Sequence, residues 1–270
     1  MTMLFSDVRG FTGLSETFKD DPQGLTTLMN RLLTPLSNAI IEHSGTIDKY
    51  MGDAIMAFWN APLDVEHHAA QACHAAIAMR RKLDDLNGTM ATEAKAAGRP
   101  HAAVEIGIGL NTGDCIVGNM GSDIRFDYSV LGDPVNLASR LEGQTKYYGV
   151  NIIVGETTAA NVGAEFALVE LDLIRVKGKT EPQRIYALMG DHVMLAQPHF
   201  ETLRAGVDLL LENIRNQNWN EAEHDIRVLR RMAFEFKIGG YLDMIEGRIA
   251  EYRAAPPPAD WDGVYTATSK

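Results

Sequence analysis

Cysteine is scarce. The 270 residues hold only Cys73 and Cys115, and their spacing matches no metal or redox motif. A disulfide scaffold is excluded, and both thiols are expected as reduced, buried small side chains. Long apolar runs are missing too. None reaches the ~18 residues that a membrane-crossing helix needs. Asp7 and Arg9 interrupt the one apolar start, so no signal peptide is read there. Together these absences predict a cytoplasmic location. Positive charge is also short, with 25 Lys and Arg against 36 Asp and Glu, a net charge of -11. That excludes a broad nucleic-acid-binding face, which needs clustered basic residues. It leaves nucleotide substrates open, because divalent cations bridge acidic side chains to phosphates.

What is present suffices for a folded core: 46% of the residues are hydrophobic and 23% charged. The length suits one large domain, or a domain with an appendage. The chain turns on Gly45 to Trp59, G-T-I-D-K-Y-M-G-D-A-I-M-A-F-W. This reads as two strands joined at Met51-Gly52-Asp53, with Ile47, Met56 and Phe58 as apolar strand residues. The opening segment, M-T-M-L-F-S-D-V, reads as a buried strand carrying Asp7 at its end. A strand pattern that begins almost at Met1 is expected of a piece of a longer chain, or of a start without the usual lead-in.

Between the two, Leu25, Leu28, Met29, Leu32, Leu33, Leu36, Ile40 and Ile41 recur at helical spacing from Pro22 to His43. Pro35 predicts a kink or a missing hydrogen bond. Strand, helix, strand, strand is the start of a split β-α-β unit, so the fold class is α+β and ferredoxin-like. The helical crossover makes strands one and two parallel, with strand three between them. The end of strand one and the turn after strand two then share one sheet edge. Asp7 and Asp53 occupy those two places, and their carboxyl groups are expected to converge.

The rest follows the same patterns. Asp64 to about Ala97 reads as helix, with a break expected at Asn87-Gly88. His67, His68 and His74 lie on it with no carboxylate to complete a metal set. Val104 to Thr112, Asp114 to Met120 and Arg125 to Leu131 read as strands. Asp133 and Pro134 suit a helix start, and Asn136 and Arg140 share one face of that helix. Val150 to Val154 reads as strand and Glu156 to Val162 as helix. Phe166 to Val176 and Arg184 to Met189 read as an antiparallel pair around Lys177-Gly178-Lys179. After Gly190 the composition changes. Phe200 to Asn213, Trp219 to Phe236 and Tyr241 to Tyr252 read as three amphipathic helices. Three domain segments result: residues 1–190, a helical appendage at 191–255, and a Pro-rich start with a loose tail at 256–270.

Four stretches in order carry a resemblance. They are F-S-D-V-R-G-F-T at Phe5 to Thr12, D-K-Y-M-G-D-A at Asp48 to Ala54, L-G-D-P-V-N-L-A-S-R at Leu131 to Arg140, and V-K-G-K at Val176 to Lys179. Over roughly the first 190 residues the chain resembles the class III adenylate/guanylate cyclase catalytic domain. The resemblance implies cyclisation of ATP to 3′,5′-cyclic AMP and pyrophosphate in cyclic-nucleotide signalling. It implies two Mg2+ ions per site, with Mn2+ as an alternative, held by Asp7, Asp53 and the main-chain carbonyl of Val8. Asn136 matches the ribose-orienting asparagine and Arg140 the arginine that stabilises the transition state. Lys49 and Ser129 match the purine-reading positions, where guanylate cyclases tend to carry Glu and Cys. Lys179 matches a phosphate-contacting lysine, with Lys177 close enough to compete for the role. The backbone around Phe11 and Thr12 is placed at the phosphates.

In such domains the active site lies between two chains. One supplies the metal aspartates, the other the purine, ribose and transition-state residues. Because this chain carries both sets, a head-to-tail homodimer follows, with Cys115 to Tyr128 reaching over the partner. A guanylate cyclase and a catalytically silent nucleotide-binding module remain as alternative readings. The Gly-Gly-Asp/Glu-Glu-Phe hairpin of diguanylate cyclases is absent. The longer parent chain implied by the abrupt start is open to a membrane tether.

Overall fold

The opening strand, β1 (Thr2–Val8), is buried along nearly its whole length. It lies between two neighbouring strands, so both of its hydrogen-bonding edges are paired. The computed structural model describes residues 1–175, 181–258 and 260–266. It forms two compact units, Met1–Glu142 and Gly143–Lys270.

In the first unit β1 is followed by a left-handed Gly10 (φ 68°), which turns the chain into the short helix α1 (Phe11–Glu16). Helix α2 (Pro22–Glu42) is capped by the Asp21 carboxylate, which accepts from the Gly24 amide at 2.9 Å. Pro35 sits inside α2 without ending it. Strands β2 (Thr46–Met51) and β3 (Ala54–Trp59) form the hairpin, and Gly52 takes the positive φ of 69° at its turn. Helix α3 (His68–Ala96) leads to β4 (Ile106–Thr112). The strand order β4-β1-β3-β2 puts β3 between β1 and β2, as the split β-α-β reading requires.

Alternation along the strands assigns the faces. Leu4, Ser6 and Val8 share one face of β1. Met3, Phe5 and Asp7 share the other. Met3, Met56 and Phe58 pack with Val130, Val135 and Ala138 in one apolar cluster. Those last three come from β6 (Arg125–Leu131) and helix α4 (Asp133–Tyr147). Among the described residues, strand β6 pairs with β5 (Ile116–Ser122), in a two-stranded arm. The arm leaves Ile116, Ile124, Phe126 and Leu131 exposed.

The second unit holds β7 (Ile152–Gly155), α5 (Glu156–Val162), β8 (Ala167–Arg175) and β9 (Gln183–Gly190). After these come α6 (His192–Leu195), α7 (Pro198–Arg215), α8 (Trp219–Leu229), α9 (Ala233–Phe236), α10 (Gly239–Ala254) and β10 (Tyr265–Thr266). The strand order is β7-β9-β8-β10, with β10 parallel to β8. A buried polar knot ties this unit together. Arg248 of α10 donates to the Asp172 carboxylate, which also accepts from the Tyr148 hydroxyl at 2.6 Å. The Arg248 guanidinium lies 3.8 Å from the Tyr265 ring centre.

Three expectations need correction. Helix α3 runs unbroken through Asn87-Gly88, because the Asn87 amide accepts from and donates to the Val104 backbone at 2.8 Å each. The segment Trp219 to Phe236 is two helices, since the chain turns between Arg230 and Met232. The tail beyond the prolines is not uniformly loose: Tyr265 and Thr266 pair with Ile174 and Arg175. Among the described residues, no helix is long and apolar enough to cross a membrane.

Candidate active site

Asp7 lies at the end of β1, on the face shared with Met3 and Phe5. Asp53 lies on the turn between β2 and β3. Their carboxyl groups come within hydrogen-bonding reach of each other. Burial pushes the Asp7 carboxyl up to about 6 from the ordinary 3.8. The neighbouring Asp53 adds to the rise, and the Val8 amide, donating at 2.9 Å, opposes it.

A third carboxylate stands behind them. Glu142, on α4, is raised to about 7, first by burial and then by the negative charges of Asp7 and Asp53, against the pull of Arg9. Sequence reasoning missed this residue. Its position comes from the packing of α4 on the sheet. Gly109 of β4 pairs with Phe5, and Gly107 pairs with Asp7. A Cβ at Gly109 would stand 2.2 Å from the Glu142 nitrogen and 2.3 Å from the Ala138 carbonyl oxygen. A side chain there would hold α4 off the sheet. The G-I-G run at 107–109 was the available signal, but it names no partner.

The packing also fixes where the other site residues point. Ala138 and Glu142 are the α4 positions laid on the sheet. Asn136 and Arg140 each lie two residues from Ala138, about 200° around a helix of 3.6 residues per turn. Asn136 is exposed and Arg140 half-buried, whereas Ala138 is fully buried. The pair that resembles ribose and transition-state contacts therefore faces away from the chain's own Asp7 and Asp53.

The two positions that resemble purine-reading residues meet in a second cluster. Lys49 is on β2 and Ser129 on β6. Asp48 lies between them, with its side chain fully buried. The Ser129 hydroxyl donates to Asp48 Oδ2 at 2.6 Å, and the Lys49 Nζ lies 3.1 Å from Asp48 Oδ1. Phe11 and Thr12 open α1, beside Asp7. Lys177 and Lys179 lie outside the described residues.

The donor set suits magnesium. Among the described residues no group of three or more His, Cys, Asp or Glu side chains forms a metal cage. Mg2+ is ordinarily held by one or two carboxylates together with substrate phosphates and water. Two carboxyl groups pressed together, with a third nearby, are costly without a cation and fit one well.

Residues 1–190 match the family model described as the adenylate and guanylate cyclase catalytic domain. An adenylate cyclase of Anabaena cylindrica is 39% identical over 189 residues, covering 69% of this chain and 36% of that protein. Adenylate cyclase 1 of Rhizobium meliloti is 32% identical over 190 residues, covering 70% of this chain and 27% of its own. This chain thus spans about a third or less of the length of these relatives. Among solved structures, the guanylyl cyclase Cya2 is similar with a TM-score of 0.60 and 31% identity, covering 70% of this chain and 91% of that one. The adenylyl cyclase CyaB from P. aeruginosa is similar with a TM-score of 0.56 and 34% identity, covering 69% and 92%. The chain belongs to the adenylate and guanylate cyclase catalytic domain family.

Proposed function

We propose that this chain is the catalytic part of an adenylate cyclase. It converts ATP to 3′,5′-cyclic AMP and pyrophosphate at two equivalent sites, each shared between two copies. The observation that carries this reading is the geometry of α4. The aspartate pair and the Asn136–Arg140 pair point in different directions, so one copy does not complete a site alone. A head-to-tail pair brings one copy's aspartates opposite the other copy's Asn136 and Arg140. The arm of β5 and β6, with its exposed Ile124 and Phe126, suits contact with the second copy.

Asp7 and Asp53 hold the divalent ions, with the Val8 carbonyl as a further ligand. Mg2+ held there, two ions per site, would supply a lowered pKa at the ribose 3′-hydroxyl and neutralisation of the triphosphate charge, and Mn2+ would suit the same donors. The helix-opening amides of Phe11 and Thr12 have no intrahelical acceptor and suit phosphate oxygens. The V-K-G-K stretch supplies the lysine for the terminal phosphates, Lys179 by the family resemblance with Lys177 as its competitor. In the partner copy, Asn136 orients the ribose so that its 3′-oxygen lies in line with the α-phosphorus. Arg140 donates to the oxygens on which negative charge grows. Lys49 donates to adenine N1, and Ser129 accepts from the 6-amino group. Positioning and charge stabilisation supply the rate.

A guanylate cyclase is the second reading, because similarity to Cya2 fits it as well as similarity to CyaB fits the first. Lys49 argues against it, since a guanine N1–H is a donor. The test is turnover of purified protein with ATP and with GTP at a series of protein concentrations. Cyclic AMP formation whose specific activity rises with concentration is the expected result. A concentration-independent rate removes the shared site. Preferential cyclic GMP formation replaces the substrate.

A further inference from the structure

The buried carboxylate at Asp48 has no part in the scheme so far, and it sits between the two residues that read the base. Its side chain is fully covered, whereas that of Lys49 is 39% exposed. Asp48 Oδ2 takes the Ser129 hydroxyl at 2.6 Å. Asp48 Oδ1 is buried without a hydrogen bond, and the Lys49 ammonium lies 3.1 Å away in an ionic contact. One carboxylate thus gathers both purine-reading side chains from strands 81 residues apart.

A serine hydroxyl carries one proton and two acceptor lone pairs, and it rotates to suit its partner. Unconstrained, it accepts from an amino group or donates to a carbonyl with equal ease. It cannot tell adenine from a 6-oxopurine. A carboxylate has no proton to give, so a hydroxyl bound to it must spend its own proton there. Only lone pairs remain to face the base.

We propose that Asp48 is the positioning residue for base selection: it binds the Ser129 proton, makes that hydroxyl an obligate acceptor, and so selects a 6-aminopurine nucleotide over a 6-oxopurine one. This rests on the adenylate cyclase reading and adds to it the reason why serine suffices. With the proton committed, Ser129 accepts from the adenine 6-amino group. Against O6 of a 6-oxopurine, lone pairs meet lone pairs. The same carboxylate holds the Lys49 ammonium beside Ser129, where adenine N1 accepts and a protonated N1 does not.

The probes are ATP and inosine 5′-triphosphate, which differ only at position 6 and in the N1 proton that accompanies it. The readout is the ratio of kcat/KM for the two. Asp48→Ala should lower the ATP preference by about tenfold, the scale of one well-made hydrogen bond. In a Ser129→Ala background the same change should lower the ratio much less than it does in wild type, because only the Lys49 contact is left to lose. A general structural role predicts an equal effect in both backgrounds, and that result overturns the proposal. An unchanged ratio in Asp48→Ala overturns it as well. Should Asp48→Ala fail to fold, Asp48→Asn decides: its amide can donate to Ser129 as well as accept from it, so the ratio must fall there too, and an unchanged ratio overturns the proposal. Wild-type protein that makes no cyclic AMP would remove the catalytic reading and not this one. The ratio is then taken from competitive binding of the two nucleotides in the presence of Ca2+.

Discussion

Gly109 lies so close under α4 that a methyl group there would stand 2.2 Å from the Glu142 nitrogen. The atoms it would meet are backbone, so no side-chain rotation relieves the clash. Gly109→Ala must push α4 away from the sheet, and Asn136 and Arg140 move with it. Overpacking of this kind costs about 1–3 kcal/mol. A displacement near 1 Å at the reacting groups costs ~100-fold in rate. Cyclic AMP formation should fall by that order while the variant still folds. Wild-type turnover in Gly109→Ala would contradict the packing account.

The aspartate pair predicts a linked dependence on pH and metal. Asp7 titrates at about 6 in the fold against an ordinary 3.8, and Glu142 at about 7 against 4.5. A carboxyl raised by folding costs stability as pH climbs from its unfolded value through its folded one. Metal-free protein should therefore lose stability between about pH 4 and pH 7 through these two groups. Mg2+ or Mn2+ competes with the protons and should raise the melting temperature more at pH 7.5 than at pH 5. Asp7→Asn should flatten the pH trend and abolish the metal response. An Asp7→Asn protein that Mg2+ stabilises as well as wild type would place the ion elsewhere.

Arg140→Ala should lower kcat by ~100–1,000-fold, the loss seen when one donor to a developing oxyanion is removed. Nucleotide binding should change far less. Arg140→Lys keeps the charge but loses the fork of donors, so it should recover only part of the rate. A large rise in KM with kcat intact would mean that Arg140 binds the ground state instead.

The second unit makes a prediction about stability. Arg248 and Asp172 are each only 5% exposed, and the Tyr147 and Tyr265 rings stack 5.6 Å apart beside the arginine. Arg248→Met leaves the Asp172 carboxylate buried without its cation, at a cost of about 3–5 kcal/mol. Adding Asp172→Asn to that variant should recover part of the loss. Denaturant unfolding reads both. A single variant within about 1 kcal/mol of wild type would make the pair no stronger than a surface salt bridge.

What could be read in the sequence was whatever repeats at short range. The buried apolar run of β1, the helical period of α2, and Gly52 at the hairpin turn were enough to place β3 between β1 and β2. The aspartates followed, because topology alone sends both to one edge. The missed features all depend on distant partners. Asn87-Gly88 looked like a break, since glycine costs ~1 kcal/mol in a helix; the Val104 backbone that holds Asn87 is 17 residues away. Nothing local marks Glu142, whose place depends on Gly109 admitting α4. Nothing local marks Asp48 either, because the serine that binds it lies on another strand pair. Tyr265, in the tail, is held by Tyr147 and Arg248.

The central claim is that one copy's Asp7 and Asp53 work opposite another copy's Asn136 and Arg140. Mixing Asp7→Ala protein with Arg140→Ala protein, each inactive alone, tests it most directly. In an equal mixture half the dimers are mixed, and each mixed dimer holds one whole site of two. Activity should return to about a quarter of the wild-type value. Mixtures that form heterodimers and yet recover no turnover would contradict the shared site.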